Sequence, residues 1–168
     1  MRSSSKGPGA PDRPRRIGLI SDTHGLVRPG VHQALAGVEL ILHAGDVGAR
    51  VLDELSVIAP VAAVLGNTDS SRDPRLVPEI VRDIDGVTIH VSHGHELGSP
   101  TPEGLCARYP QDVIVYGHTH RPLVVRVGGR LVVNPGAAGP RRFDLAPSVA
   151  RMVIQDGRVE VELVSLQP

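Results

Sequence analysis

The sequence predicts one α/β domain, a β-sandwich with helices on its outer faces, and three observations support this prediction. The 168 residues allow one compact domain and leave little room for a second. With two Tyr, one Phe and no Trp, the core is aliphatic, and its many β-branched side chains favour strands. Short apolar runs alternate with weakly amphipathic stretches early in the chain and are joined by hairpin turns at its end.

Ten strands and three helices are predicted along the chain. Several apolar runs contain no polar residue, as expected of strands that are buried on both faces. The strands cover residues 17–20, 39–43, 61–65, 79–83, 88–92, 113–116, 123–127, 131–134, 149–155 and 159–165. The helices cover residues 29–36, 49–58 and 102–109, and the first and third begin with Pro, which the first turn tolerates. Turn pairs at 85–86, 128–129 and 156–157 mark antiparallel hairpins.

Composition and charge exclude several classes of protein. With 18 Lys and Arg against 18 Asp and Glu and few aromatic residues, the chain carries no strong nucleic-acid-binding signature. The single Cys106 can form no disulfide within the chain, and no apolar run approaches the length of a membrane span. We therefore expect a soluble, cytoplasmic protein without a membrane partner, and the sequence leaves a homo-oligomer open.

The beginning of the chain differs in character from the rest. Residues 1–16 carry five cations and one acid among Ser, Gly and Pro, with no apolar segment of signal-peptide length. We predict that they form a disordered basic tail, and that residues 17–168 form the single folded domain.

Five of the predicted strands lead directly into short clusters of metal-competent side chains. Because ligands of open α/β sheets bind beyond the carboxyl ends of the strands, these clusters are expected to meet at one rim. Carboxylate, imidazole and carboxamide groups without a thiolate suit Mn foremost, with Fe, Ni, Co, Zn or Mg as alternatives, rather than a structural zinc site. The clusters are Asp22 and His24 in SDTHG, Asp46 in HAGD, Asn67 and Asp69 in GNTD, His93 and His95 in SHGH, and His118 and His120 in GHTH.

In this order and spacing the five clusters resemble the signature of the calcineurin-like metallophosphoesterase superfamily. The chain length and the segment Asn134-Pro135-Gly136 resemble its small prokaryotic phosphodiesterase branch. The resemblance implies a four-layer αββα sandwich of two mixed β-sheets flanked by helices, with two divalent metal ions where strand ends converge. It further implies a first ion held by Asp22, His24 and His120, a second held by Asn67, His93 and His118, and Asp46 as the bridge between them.

Such a centre suits hydrolysis of a phosphate ester. Two cations about 3.5–4 Å apart can share a carboxylate and a hydroxide, and can clamp the attacking and leaving oxygens of an in-line displacement. We therefore expect a small anionic phosphate ester as substrate, with Asp46 and Asn67 among the catalytic residues.

One residue departs from the pattern. Many phosphatases of the superfamily have His after the GN pair, where it is thought to protonate the leaving group, and this chain has Thr68. The proton could come from His95, from Asp69 or from a metal-bound water, and the sequence leaves these alternatives open. Without a strong acid, the site should prefer activated or cyclic diesters.

The predicted function is that of a phosphodiesterase acting on small or cyclic nucleotide-type diesters through a two-metal-activated hydroxide. A phosphomonoesterase is the alternative within the enzyme class. A non-catalytic interaction scaffold on the same fold is the alternative outside it, and the presence of all seven implied ligands argues against it because unpaired buried charges are unfavourable.

Other polar residues have simpler interpretations. His43 is expected to support the site or the core, and His32 and His90 to be partly exposed histidines. Cys106 is predicted to be a small buried residue on a helix. Arg141 and Arg142 could contact a phosphate through a forked pair of hydrogen bonds, or could be solvated.

Overall fold

The structure is a computed structural model that describes residues 13–166. In that part of the chain, eleven strands and three α-helices follow one another. The strands are β1 (Arg15–Ile20), β2 (Leu40–His43), β3 (Val61–Val64), β4 (Leu76–Val77), β5 (Ile80–Ile84), β6 (Val87–Val91), β7 (Val113–Val115), β8 (Leu123–Val127), β9 (Arg130–Asn134), β10 (Ser148–Gln155) and β11 (Arg158–Ser165). The helices are α1 (Gly30–Ala34), α2 (Val51–Ser56) and α3 (Pro102–Arg108), and a 3₁₀ turn covers His95–Leu97.

The strands form two mixed sheets, as predicted. The first has the order β11-β10-β1-β2-β3-β4, in which β1 to β4 are parallel and β10 and β11 are antiparallel additions. The second has the order β5-β6-β7-β9-β8, with a parallel centre and antiparallel edges. The parallel strands β1, β2 and β3 are joined through α1 and α2, the usual connection between parallel neighbours, whereas β3 and β4 are joined by a loop.

Side-chain alternation along the strands generates the four layers. In β1, Ile17 and Leu19 point into the core between the two sheets, and Ile20 points into a second core under α1 and α2. In the other sheet, Ile114 of β7 packs beneath α3 with Leu105. The order of layers is therefore α1 and α2, first sheet, second sheet, α3, which confirms the predicted αββα sandwich.

The observed elements differ from the predicted ones mostly at their ends. The strand β4 was not predicted, because two residues carry no alternation. The helix α2 begins at Val51 rather than at residue 49, because Arg50 adopts a left-handed φ of 68° that no helix interior accepts.

Residues 1–12 of the predicted tail lie outside the described residues. The folded part begins earlier than the predicted residue 17, because Arg15 and Arg16 belong to β1 and pair with β10.

The prediction that His90 is partly exposed is wrong. His90 lies on β6 between two core residues, and its outward face is covered by the end of α3, so that it is only 1% exposed. Its ring stacks on Tyr109 with 3.7 Å between ring centroids. Cys106 is buried on α3, as predicted. Among the described residues, no helix is long and apolar enough to cross a membrane.

Candidate metal centre

The loop after β1 places a buried carboxylate at the carboxyl end of the first sheet. Asp22 is fully buried, and its Oδ2 accepts hydrogen bonds from Ser21 Oγ at 2.6 Å and from the backbone N–H of His118 at 3.2 Å. Its other oxygen, Oδ1, lies 3.2 Å from His120 Nε2. The GHTH segment is thus bonded directly to the SDTHG segment, although 96 residues separate Asp22 from His118.

A second carboxylate follows β2. Asp46 Oδ1 accepts a hydrogen bond from the backbone N–H of Thr68 at 2.9 Å. Its Oδ2 lies 3.2 Å from His93 Nε2 and 3.8 Å from His24 Nε2. One oxygen of Asp46 is therefore fixed by the chain, and the other lies between two imidazoles from different loops.

The remaining donor groups complete the cluster. Asn67 Oδ1 lies 3.0 Å from His93 Nε2 and 3.2 Å from His118 Nδ1. His93 Nδ1 lies 2.7 Å from the carbonyl oxygen of Ala44, and since a carbonyl can only accept, Nδ1 carries a proton. This contact directs His93 Nε2 towards the oxygens of Asn67 and Asp46.

The residues of the cluster fit a divalent metal ion. In the described part of the chain, the buried atoms Asp22 Oδ1 and His24 Nε2 have no hydrogen-bond partner, which is unusual unless another group binds them. Donor atoms of Asp22, His24 and His120 lie within 4.8 Å of one another, and so do donor atoms of Asp22, Asp46 and His93. Oxygen and imidazole donors at this spacing suit borderline divalent ions.

The electrostatics of the cluster favour charged carboxylates. Burial alone would raise the pKa of Asp22, but His120, His93 and the Ser21 hydroxyl outweigh it, so that its pKa is lowered. Burial likewise acts to raise the pKa of Asp46, and the contacts with His93 and with the Thr68 amide lower it well below its usual range. Two ionised carboxylates therefore lie together in a place largely closed to water, where a cation is favoured.

Glycines let the backbone approach these side chains. Gly45 has a φ of +97°, and a Cβ atom there would lie 2.7 Å from His93 Nδ1. At Gly117, a Cβ atom would collide with the Ser21 hydroxyl, which is bonded to Asp22. Both positions exclude any other residue for steric reasons.

Buried supporting residues join the loops to one another. The hydroxyl of Thr23 donates to the carbonyl of Val47 at 2.7 Å and accepts from His43 Nε2 at 2.9 Å, while His43 Nδ1 accepts from the Gly45 amide at 3.1 Å. Burial lowers the pKa of His43 to about 4, so this histidine is neutral. His43 thus supports the site, as predicted, and Thr23 is a partner that the sequence did not reveal.

Asn134 performs a similar role for the GHTH segment. Its Nδ2 donates to the carbonyl of Gly117 at 3.1 Å and to Thr119 Oγ1 at 3.0 Å, and its Oδ1 accepts from the Gly136 amide at 2.9 Å. The sequence showed the Asn-Pro-Gly segment but gave no physical reason for the asparagine.

The structure places the other predicted residues at the margin of the cluster. The side chain of Thr68 is exposed, and the contact of this residue with Asp46 is made by its backbone. The ring of His95 is partly exposed, with its centroid 5.4 Å from that of His93 and 6.3 Å from that of His118.

Asp69 has a structural role. Its two oxygens accept hydrogen bonds from the backbone N–H groups of Val47, Gly48 and Gly66. The Asp69 carboxylate thereby connects the loops after β2 and β3, and both of its oxygens are already occupied by backbone amides. Arg141 and Arg142 are exposed, and within the described range neither side chain makes a hydrogen bond or ion pair.

The sequence model of the calcineurin-like phosphoesterase superfamily domain matches residues 16–157. The chain belongs to this superfamily. It is 32% identical to a probable metallophosphoesterase of Methanothermobacter thermautotrophicus over 160 residues, covering 88% of this chain and 91% of that protein. It is 35% identical to the phosphodiesterase YfcE of Escherichia coli K12 over 148 residues, covering 73% of this chain and 78% of that protein.

Solved structures show the same fold. Vacuolar protein sorting 29 (Vps29) of Cryptosporidium parvum superposes with a TM-score of 0.76 at 25% identity, covering 92% of this chain and 99% of that one. A predicted phosphoesterase of Streptococcus pneumoniae superposes with a TM-score of 0.69 at 20% identity, covering 93% and 94%. The chain thus combines the fold of this superfamily with side chains that could bind metal.

Proposed function

We propose that the chain is a divalent-metal-dependent phosphodiesterase that acts on small or cyclic nucleotide-type diesters at a centre of two ions. One observation carries the proposal. Five loops bring two buried carboxylates, one carboxamide and four imidazoles together, and the donor atoms Asp22 Oδ1 and His24 Nε2 have no hydrogen-bond partner in the described chain. The phosphodiesterase names of relatives such as YfcE support the choice of substrate class.

In this proposal two groups of side chains hold the ions, and Asp46 serves both. Its Oδ2 lies between His24 and His93, one from each group, which suits a shared ligand. Bound ions, with Mn the first candidate, would polarise the phosphoryl group and lower the pKa of a water nucleophile. The first group is Asp22, His24 and His120, and the second is Asn67, His93 and His118.

The chain's own residues orient the reaction. The Thr68 amide fixes Asp46 Oδ1, and the Ala44 carbonyl fixes the ring of His93, so that neither side chain needs to reorganise. The Thr68 hydroxyl cannot act as an acid near neutral pH, and Asp69 is occupied by three backbone amides. This arrangement favours diesters whose leaving groups depart without a proton. If a proton is needed, His95, whose ring lies beside that of His93, is the side chain that could donate it.

The test compares two aryl esters. The purified chain is treated with chelator, reloaded with Mn, and assayed with bis(p-nitrophenyl) phosphate and with p-nitrophenyl phosphate. We expect faster turnover of the diester, and loss of turnover in Asp46→Asn but not in Asp156→Asn, a matched change in the β10–β11 turn at the opposite end of the sheet.

Two outcomes would contradict the proposal. Monoester turnover tenfold above diester turnover would favour the phosphomonoesterase alternative. Absence of metal-dependent hydrolysis of either ester would favour a non-catalytic interaction protein.

A further inference from the structure

A carboxylate outside the candidate metal ligands holds the turn that follows β6. Glu96 Oε2 accepts a hydrogen bond from the backbone N–H of Gly94 at 2.9 Å, and Glu96 Oε1 accepts one from the Tyr109 hydroxyl at 2.8 Å. Glu96 therefore connects the turn to the residue that caps the C-terminal end of α3.

Tyr109 is itself held on two sides. Its ring stacks on the buried ring of His90, with 3.7 Å between centroids and 19° between planes. Its carbonyl accepts a hydrogen bond from Arg130 Nη1, and Arg130 Nη2 donates to the carbonyl of Cys106 at 2.6 Å. Since Arg130 begins β9, the end of α3 is fixed to the second sheet, and the Tyr109 hydroxyl is presented from a rigid support.

Gly94 connects the contacts of Glu96 and Tyr109 to the candidate metal centre. It adopts a φ of +100°, and it lies between His93 and His95 in the chain. The bond from its amide to Glu96, together with the bond from the Gly117 amide to the His93 carbonyl at 3.0 Å, fixes the peptide between His93 and Gly94. Glycine adopts many backbone conformations, so the hydrogen bonds of Gly94 help to select this left-handed one.

The two histidines depend on this turn to different degrees. His93 is anchored independently through the Ala44 carbonyl. The His95 side chain makes no hydrogen bond within the described residues, and the carboxylate near it is Glu96, whose Oε2 lies 3.9 Å from His95 Nδ1. The position of the His95 ring therefore rests on the turn and on Glu96.

We propose that Glu96, supported by Tyr109, is a positioning residue that fixes the His95 ring beside His93 and His118, where it faces a phosphate ester bound at the candidate metal centre. This inference rests on the proposed function, because His95 has a role only if an ester binds there. Such supporting partners commonly affect activity roughly 10- to 100-fold when they are removed.

The charge state of Glu96 suits this role. Burial acts to raise its pKa, but polar groups around it, among them the Tyr109 hydroxyl and the Gly94 amide, outweigh burial and lower it. The Glu96 carboxylate is thus ionised and accepts from both the Gly94 amide and the Tyr109 hydroxyl.

The experiment separates positioning from a structural role by a double-mutant cycle. Glu96→Ala, Glu96→Gln, His95→Ala and Glu96→Ala with His95→Ala are compared in the full chain, with Glu103→Ala as a control that removes an exposed carboxylate from α3. The measured quantities are kcat and KM for bis(p-nitrophenyl) phosphate, bound Mn and Tm.

We expect Glu96→Ala to lower kcat roughly 10- to 100-fold with KM and bound Mn unchanged. Glu96→Gln should recover most of this loss, since its amide oxygen can accept from Gly94 and its NH₂ can donate to the Tyr109 oxygen. The double variant should be no slower than His95→Ala alone, because Glu96 acts through His95. Full activity of His95→Ala, or losses that multiply in the double variant, would overturn the inference.

A second measurement does not depend on turnover. In a ¹H–¹⁵N spectrum, the Gly94 amide should move upfield in Glu96→Ala and stay in place in Glu103→Ala. An active wild type whose Gly94 amide does not respond would overturn the inference alone. A wild type without metal-dependent hydrolysis would overturn the proposed function, and the role of His95 with it.

Discussion

Asp46 Oδ2 lies 3.2 Å from His93 Nε2 and thereby joins the loop after β2, in the first sheet, to the loop after β6, in the second. The candidate metal centre is built across the two sheets of the sandwich. Each sheet alone presents only part of the donor set, so the centre depends on how the sheets pack.

The first prediction concerns the carboxylate between the two proposed ions. Asp46→Asn keeps the shape of the side chain and removes the charge that would offset both ions, so we expect activity to be abolished and both ions to be lost together. Metal stoichiometry after purification checks this. One full equivalent retained in each site would contradict the shared role of Asp46.

The second prediction concerns Thr68, which stands next to Asn67 at the margin of the cluster. An imidazole there could protonate a departing oxygen, and general acid catalysis contributes about 10²–10⁴-fold when the leaving group needs a proton. Thr68→His should therefore raise turnover of diesters with poor leaving groups more than of those with good ones. The expected result is a shallower dependence of log kcat on leaving-group pKa.

Retained metal and retained diester activity are the controls for this variant. Parallel plots for Thr68→His and the wild type, with both controls satisfied, would show that the leaving group receives no proton from this position. The first proton donor to test in that case is His95, whose ring lies beside that of His93.

The sequence predicted which residues converge, and the reason is geometric. Parallel strands place their carboxyl ends together, so the residues that follow β1, β2 and β3 were bound to meet. The role of Asp69 could not be predicted, because the sequence does not show that three backbone amides donate hydrogen bonds to its carboxylate. The burial of His90 was missed because alternation identifies the two faces of β6 but not the helix that covers one of them.

The residues that support the site were hardest to predict. Thr23 and Asn134 act through contacts between separate segments of the chain, such as the bonds of Thr23 to His43 and of Asn134 to Gly117. Loop conformation decides such contacts, and no local pattern encodes it.

The third prediction uses two glycines with similar backbone conformations. Gly45→Ala would introduce strain at a φ of +97° and would press a Cβ atom against His93, whereas Gly37→Ala, at a φ of +81°, meets no atom within 4 Å. We expect both variants to lose about 1 kcal/mol of stability from backbone strain, and Gly45→Ala to lose more because its Cβ atom must displace the buried His93 side chain. Only Gly45→Ala should also lose metal affinity, as measured by titration with Mn. Equal metal affinity in the two variants would contradict the placement of His93.

The fourth prediction concerns the pH dependence of stability and His90. Burial lowers the pKa of His90 below its ordinary value of 6.5, against the opposing effect of Glu79. At His90, the unfolded chain therefore binds a proton more readily than the folded chain. The contribution of the neutral His90 side chain to the free energy of unfolding is present above pH 6.5 and is lost as the pH falls below it.

His90→Phe keeps an aromatic ring against Tyr109 and removes the titration. Denaturant unfolding at pH 7 and pH 5 should show a smaller loss of stability in this variant than in the wild type. His32→Phe, at an exposed position of α1, is the control and should lose as much as the wild type. If His90→Phe loses as much stability between pH 7 and pH 5 as the wild type does, His90 is protonated in the folded state and the prediction is wrong.

The central claim is that the five loops form a centre for two metal ions, and an anomalous difference map of crystals soaked in Mn tests it most directly. The account predicts two peaks, one among Asp22, His24 and His120 and one among Asn67, His93 and His118, both in contact with Asp46. A single peak at saturating Mn, or two peaks of which only one touches Asp46, would contradict it.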